Sequence, residues 1–294
     1  MGVTDAHFHV WRQADLPWLT GPMVPRIFGP HEAIRRDYPM AEYRAEAGAA
    51  GVTRAVYVQA NWPPERAEAE VAWVSGLAAE TGWPHAIVGY ADMTVADVRP
   101  ALDRLAGFPL LRGIRQQFHW HENPLYRFAS GPELCADRRV RGNVSRLADY
   151  GLAFELQVFA SQMAGACALV DACQNVSFVL QHAGMLDKDS EEGFEAWARA
   201  VAELAERPNV CAKLSGFGTF LRRLDPAQVA RITAHTVSVF GPERCLWGSN
   251  FPIEKLWTDY AALLDSHRAA AGALPRTAQD EIFNETAGRV YRLH

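Results

Sequence analysis

Along this chain, short apolar runs alternate with longer stretches whose apolar residues recur at helical spacing. The runs fall at Val3–Val10, Arg54–Ala60, His85–Asp92, Leu110–Gln117, Leu152–Val158, Val176–His182, Val210–Gly216 and Arg244–Asn250. The intervening pattern predicts helices over Met40–Ala50, Glu65–Thr81, Val95–Ala106, Arg138–Tyr150, Ser161–Cys173, Glu191–Arg207 and Pro226–Phe240, with two more, Lys255–Ala271 and Pro275–Leu293, closing the chain. Eight strands separated by helices predict an α/β fold, a (β/α)8 TIM-type barrel forming one domain over residues 1–294. The rival is an open doubly wound sheet, but no strand is followed by G-x-G-x-x-G or a P-loop, which removes the usual cofactor reasons for that fold.

One stretch breaks the rhythm. Between Trp11 and Pro39 the residues Pro17, Gly21, Pro22, Pro25, Gly29 and Pro30 interrupt any period. So long a loop reads either as a lid with an apolar underside of Trp11, Trp18 and Phe28, or as a packed extension closing one end of the domain.

Composition narrows the class of partner. The chain is 49% hydrophobic and 21% charged, with a net charge of -5 and scattered basic residues, which argues against a nucleic acid or an anionic membrane and for a small molecule. Cys135, Cys167, Cys173, Cys211 and Cys245 are odd in number and form no C-x-x-C pair, so they read as reduced, buried thiols. There is neither a signal-peptide pattern nor a run of 18 apolar residues, so the cytoplasm is the expected location. A homo-oligomer is left open.

In a barrel the chemistry sits at the C-terminal ends of the strands. Those ends carry His7 and His9, Gln59, Tyr90 and Asp92, Arg115, Gln157, His182, Lys213 with Ser215, and Asn250, a polar ring on apolar strands. Alternation sends His7 and His9 to one side of the first strand, about 6 to 7 Å apart along it. With His182 from across the barrel they provide the three imidazoles of a one-metal site with an open position for water. Arg115 suits a carboxylate or lactone oxygen, or else makes a structural salt bridge. Lys213 reads as a charge stabiliser or as a buried-pair partner. A second H-x-H, His119 and His121, lies in the loop after the fourth strand and reads as a substrate-contacting edge or, less simply, a second metal site. His31, His85, His235, His267 and His294 have no such context and read as surface or filler residues.

These blocks resemble a known family. Asp5-Ala6-His7-Phe8-His9-Val10-Trp11, Arg112-Gly113-Ile114-Arg115, Leu180-Gln181-His182-Ala183-Gly184, Asn209 to Gly216, Trp247-Gly248-Ser249-Asn250-Phe251-Pro252 and Thr286 to Leu293 occur in the order found in the amidohydrolase superfamily. The branch they resemble contains sugar-acid lactonases and pyrone-dicarboxylate lactonase. The resemblance implies a barrel whose first-strand H-x-H and sixth-strand His surround the reacting carbonyl, either with one divalent metal (Zn or Mn) or, as in some members of the branch, with none. It also implies an Asp at the end of strand eight, where this chain has Asn250. An amide cannot take a proton from water at neutral pH, so another group must serve, Glu254 and Glu155 being the nearest acids in sequence. Arg115 and Gln117 occupy the place of the Lys that bridges two metals in some relatives, which argues against a binuclear centre. The leading expectation is a hydrolase that opens a lactone or similar cyclic ester of a small carboxylic or sugar acid. His7, His9, His182 and Asn250 are its candidate catalytic residues, and Arg115, Gln59, Tyr90, His119, His121, Gln157 and Lys213 its candidate substrate contacts. The rivals are a metal-dependent decarboxylase of an unsaturated or aromatic acid and a non-catalytic barrel that binds a small acid.

Overall fold

A computed structural model describes residues 2–293; His294 lies outside the described residues. Eight parallel strands stand side by side in chain order: β1 (Val3–Phe8), β2 (Val52–Val58), β3 (Ala86–Gly89), β4 (Leu111–Gln117), β5 (Ala153–Gln157), β6 (Phe178–Leu180), β7 (Val210–Leu214) and β8 (Cys245–Trp247). Helices α1 (Met40–Ala49), α2 (Ala67–Thr81), α3 (Arg99–Leu105), α4 (Arg138–Ser145), α5 (Met163–Ala172), α6 (Glu191–Ala205), α7 (Pro226–Phe240) and α8 (Tyr260–Ala270) follow the strands in turn. The fold is the (β/α)8 barrel expected from the sequence.

No regular ladder joins β8 to β1. Specific bonds replace it: Asn250 N–H donates to the His7 carbonyl at 2.7 Å, and His9 N–H donates to the Phe251 carbonyl at 2.8 Å. Below them the buried Asp5 carboxylate accepts from Ser249 N (2.8 Å), Ser249 Oγ (2.6 Å), His7 N (3.0 Å), Tyr43 OH (2.8 Å) and Tyr260 OH (2.7 Å). The seam of the barrel therefore fixes His7 and His9 beside Asn250.

Along each strand the outward positions, such as Phe154, Leu156, Ala212 and Leu214, pack on the helices, while Ala6, Val56, Val58, Val88, Val179 and Leu246 fill the interior with Tyr291 and Leu293 below them. The interior also holds charge. Lys213 Nζ reaches both Glu155 oxygens, at 2.9 and 2.8 Å, and Gln181 and Tyr291 donate to the same carboxylate. Such a pair costs desolvation and is tolerated because its hydrogen bonds are filled.

Several elements depart from the expected bounds, and three of them do so for a clear local reason. The helix expected from Val95 begins only at Arg99, and the turn before it is held by Asn143, which receives Val98 N–H (3.2 Å) and donates to the Met93 (3.0 Å) and Val95 (2.7 Å) carbonyls. The helix expected from Lys255 begins at Tyr260, where Asp259 caps Ala262 N–H at 2.8 Å. The closing helix is divided into α9 (Arg276–Asp280), a π-turn (Glu281–Glu285) and α10 (Thr286–Tyr291). The π-turn aims Asn284 at Thr4 (2.9 Å) and Arg54 (2.8 Å) on the barrel floor.

The stretch from Trp11 to Pro39 is both of the things the sequence left open. Its base is packed: Trp11 is buried and bonds Tyr38 through both backbone groups, each at 3.0 Å. Its tip, from Val24 to Phe28, bends over the mouth and is tethered there by Trp18 Nε1, which donates to the Ala60 carbonyl at 3.0 Å. His31, read as surface or filler, is buried between Trp18 and Phe28, and His267 is buried against Phe217. All five cysteines are free, four of them buried and Cys211 half-buried. Among the described residues no helix is long and apolar enough to cross a membrane.

Candidate active site

β6 ends at Leu180, and the chain leaves it through two residues in the left-handed region, His182 (φ 52°) and Ala183 (φ 47°). That conformation is disfavoured for residues with a Cβ, and it is held by Trp197 Nε1, which donates to the Ala183 carbonyl at 2.8 Å. The turn swings His182 over the barrel axis. Its ring centroid lies 4.9 Å from that of His7, which in turn lies 5.0 Å from that of His9. The three imidazoles expected to converge stand together.

Their protonation follows from their partners. His9 Nδ1 lies 2.7 Å from the Val58 carbonyl, an acceptor only, so Nδ1 carries the proton and Nε2 the lone pair. His182 Nδ1 rests 2.8 Å from Ser215 Oγ, and His7 Nδ1 has no partner. Burial and then the Arg115 charge lower His9 to about 3. Burial also holds His7 and His182 well below the ordinary value, with Lys213 next for His7 and Arg115 next for His182. The cluster is neutral at physiological pH.

Neutral imidazoles are metal donors, and the geometry allows a test of fit. Two nitrogens bound about 2.0–2.1 Å from one tetrahedral ion lie about 3.3–3.4 Å apart. His7 Nε2 and His9 Nε2 are 3.3 Å apart. The Val58 and Ser215 oxygens on the far nitrogens are the outer partners that orient ligating imidazoles. Among the described residues no three His, Cys, Asp or Glu side chains stand in a complete ligand arrangement, so the pair is in place and the set of three is not. The His7 and His9 nitrogens have the spacing of two donors to one divalent ion of the zinc type.

A cavity of about 530 Å3 opens above this floor, and His9, Arg115, His119, Gln157, His182 and Asn250 all line it. Arg115 is buried without an ion pair among the described residues. Its Nη2 donates to the Gln59 carbonyl, its Nη1 to Gln181 Oε1 at 3.3 Å, and its Nε to nothing. Burial lowers its pKa to about 10, which leaves it charged. His119 Nδ1 and Gln157 Oε1 are likewise buried without partners, and burial followed by Arg115 lowers His119 to about 3.

Four expected contacts lie off the cavity wall. Lys213 is fully buried and spent on Glu155. The Gln59 side chain turns back to accept Asn61 N–H at 2.7 Å, and only its carbonyl reaches Arg115. Tyr90 lies beyond the end of β3, half-buried beside Asp92, with burial and then Asp92 raising its phenol to about 12. His121 Nε2 sits 3.0 Å from Asp187, bracing the loop instead of facing the cavity. Conversely, Arg26, Asn61, Phe128, Thr219 and Phe220 line the cavity from loops that carry no periodic signal in the sequence.

Of the two acids considered in place of the family's Asp, Glu155 is consumed by Lys213, whereas Glu254 stands directly behind Asn250. Glu254 Oε1 accepts from Asn250 Nδ2 at 3.4 Å and Oε2 from Trp257 Nε1 at 2.7 Å. Burial without a cation alongside lifts its carboxyl from 4.5 to about 7. Because the fold holds this proton more tightly than the unfolded chain, stability present at low pH is lost as pH rises from about 4.5 through 7, by roughly 3 kcal/mol. Glu254→Gln removes that loss. Urea titrations at pH 5 and pH 8 should show the wild type weakening by roughly 2–3 kcal/mol more than the variant; parallel behaviour would mean that Glu254 is ionised in the fold. Glu70, also lifted to about 7 by burial, is common to both proteins and cancels.

A parallel barrel with polar strand ends gathered at one mouth has the architecture of a (β/α)8 enzyme. The chain belongs to the amidohydrolase family Amidohydro_2, whose model matches residues 4–293. It is 30% identical to the Sinorhizobium fredii protein y4mH, over 100% of this chain and 99% of that one. It is 27% identical to an L-fucono-1,5-lactonase of Burkholderia ambifaria, over 98% of this chain and 95% of that enzyme. An amidohydrolase from Burkholderia multivorans, solved with bound zinc, superposes with a TM-score of 0.84 at 24% identity over the whole of both chains. The protein is an enzyme of the amidohydrolase superfamily, in its lactonase-like branch.

Proposed function

We propose that this enzyme opens a lactone or similar cyclic ester of a small carboxylic or sugar acid by attack of water on the ring carbonyl. The observation that carries the reading is one cavity lined by His9 and His182, with His7 packed directly behind them, beside the Arg115 guanidinium that has no ion pair among the described residues. Arg115 binds the substrate's anionic group or ring oxygen through its free Nε–H. Gln157 Oε1 and Asn250 orient substrate and water through their amides. His9, fixed as the Nδ1–H tautomer by Val58, presents its Nε2 lone pair to the floor. His7, His9 and His182 are the residues that would hold a single Zn or Mn ion, which when bound lowers the pKa of water and polarises a carbonyl.

The reading is tested by incubating protein purified without an affinity tag with a panel of lactones and carboxylic acids, with elemental analysis of the same sample. We expect one proton released per lactone opened and about one divalent ion per chain. Release of carbon dioxide from an unsaturated or aromatic acid would select a decarboxylase instead, and full activity after exhaustive chelation would select the metal-free route. Asn250→Asp reports on the same floor. A carboxylate beside three imidazoles should tighten metal retention and shift the acid limb of the rate profile; unchanged metal content, pH profile and rate would remove Asn250 from the site.

A further inference from the structure

The cavity walls say more about the substrate than the floor does. Three guanidiniums, Arg26, Arg115 and Arg127, line the cavity, and no Asp or Glu does. Arg127 is occupied by its own loop, donating to the His121 (2.6 Å) and Glu122 (2.5 Å) carbonyls and covering the Trp120 ring at 4.8 Å. Arg26 lies 5.1 Å above the Trp18 ring and makes no ion pair among the described residues. An enclosed field of this sign favours an anion.

Above the floor much of the wall is apolar, Asn61 and Thr219 being its neutral polar members. Trp18 and Phe28 come from the stretch between Trp11 and Pro39, Phe128 from the loop after β4, and Phe220 from the loop after β7. Val24 and Phe128, both on this wall, are 61% and 45% exposed, and only Val95 joins them among the exposed large hydrophobic residues described. Exposed apolar side chains from separate loops meeting at one opening mark a surface awaiting an apolar partner. The neighbouring hydroxyls of a sugar ring are donors best matched by carboxylates, which accept at two oxygens. This wall offers none, and hydroxyls left against apolar surface forfeit their bonds to water.

We infer that the substrate is an anionic lactone bearing an apolar or aryl arm, rather than a polyhydroxylated sugar-acid lactone. The assignment rests on the lactone-opening reading of the floor. The anion meets Arg115, and the arm lies between Phe128, Phe220 and the lid. Water adds to the carbonyl carbon, the ring C–O bond breaks, the departing oxygen takes a proton, and one hydroxy acid leaves with the net release of one proton.

The test compares three δ-lactones: one with a carboxylate and a phenyl or hexyl arm, its counterpart without the arm, and a sugar-acid lactone. At about 25 cal/mol per Å2, each ~55 Å2 of apolar surface buried is worth about tenfold. We expect kcat/KM for the armed lactone to exceed both others by at least tenfold. Phe128→Ser, at an exposed position, should cut that ratio severalfold or more, mainly through KM. Equal rates for all three lactones, or preference for the sugar-acid lactone, would overturn the assignment. If no lactone is opened, the reading of the floor fails, and calorimetry on the three corresponding hydroxy acids still decides the ligand class. At least tenfold tighter binding of the armed acid sustains it, and equal or weaker binding ends it.

Discussion

Lys213→Met should destabilise the protein by about 3–5 kcal/mol, the largest loss of stability expected from any single change in the barrel interior. The Lys213 ammonium and the Glu155 carboxylate are both wholly inaccessible, with Nζ 2.8 Å from Oε2. Removing the cation leaves a buried carboxylate with only the neutral donors Gln181 and Tyr291, and an uncompensated buried charge is the expensive outcome. The double variant Lys213→Met with Glu155→Gln carries no such charge and should recover most of the loss, because a buried pair contributes little beyond an apolar replacement. Urea unfolding of the two single variants and the double gives the coupling directly. A single variant within about 1 kcal/mol of wild type would mean that the pair is not the structural element described, and Lys213 would return as a candidate substrate contact. The same substitution removes a positive charge that helps hold His7 and His182 neutral, so the surviving folded fraction should protonate its imidazoles at higher pH than wild type.

Lys213 also shows where reading from sequence stops. Period-two alternation places Lys213, Glu155, Arg115 and Gln157 on the inner side of their strands, and that much is legible. Depth is not. Arg115 and Glu155 are register partners on neighbouring strands, yet one side chain lines the cavity while the other is buried against Lys213, with Gln181 bonded to both. Gln59 and Tyr90 illustrate the complementary failure. Both stand beyond the last paired residues of β2 and β3, where the chain has already turned and alternation no longer fixes direction. The H-x-H at the end of β1, His182 and Asn250 were legible because the strands that carry them adjoin the seam or end in a turn that the sequence marks. The cavity walls were not. Phe128, Phe220 and Arg26 come from loops of no fixed period, and only the folded chain brings them face to face. The barrel itself was the easiest part, since eight apolar runs each had an amphipathic neighbour to cover their outward side chains.

Arg115→Met should lower kcat/KM by about two to three orders of magnitude while changing stability by no more than about 1 kcal/mol. The two effects separate because this cation, unlike Lys213, has no carboxylate partner. It is anchored by the Gln59 carbonyl and Gln181 Oε1, and its buried Nε has no partner at all. The fold thus bears the desolvation of the guanidinium without a counter-charge, and removing it relieves that cost while leaving two neutral acceptors short of a donor, changes of opposite sign and similar size. In the proposed reaction the charge is matched by the substrate's anionic group. Truncating one partner of a buried, hydrogen-bonded charge pair typically costs about 2–5 kcal/mol, and a single donor aimed at developing negative charge about 10²- to 10³-fold in rate. Arg115→Lys keeps the charge but loses the planar fork, so it should restore part of KM and little of kcat. Steady-state kinetics beside urea unfolding of the same preparations decides the matter. Activity lost together with more than about 2 kcal/mol of stability would make Arg115 a structural cation like Lys213, and unchanged kinetics would remove it from substrate binding altogether.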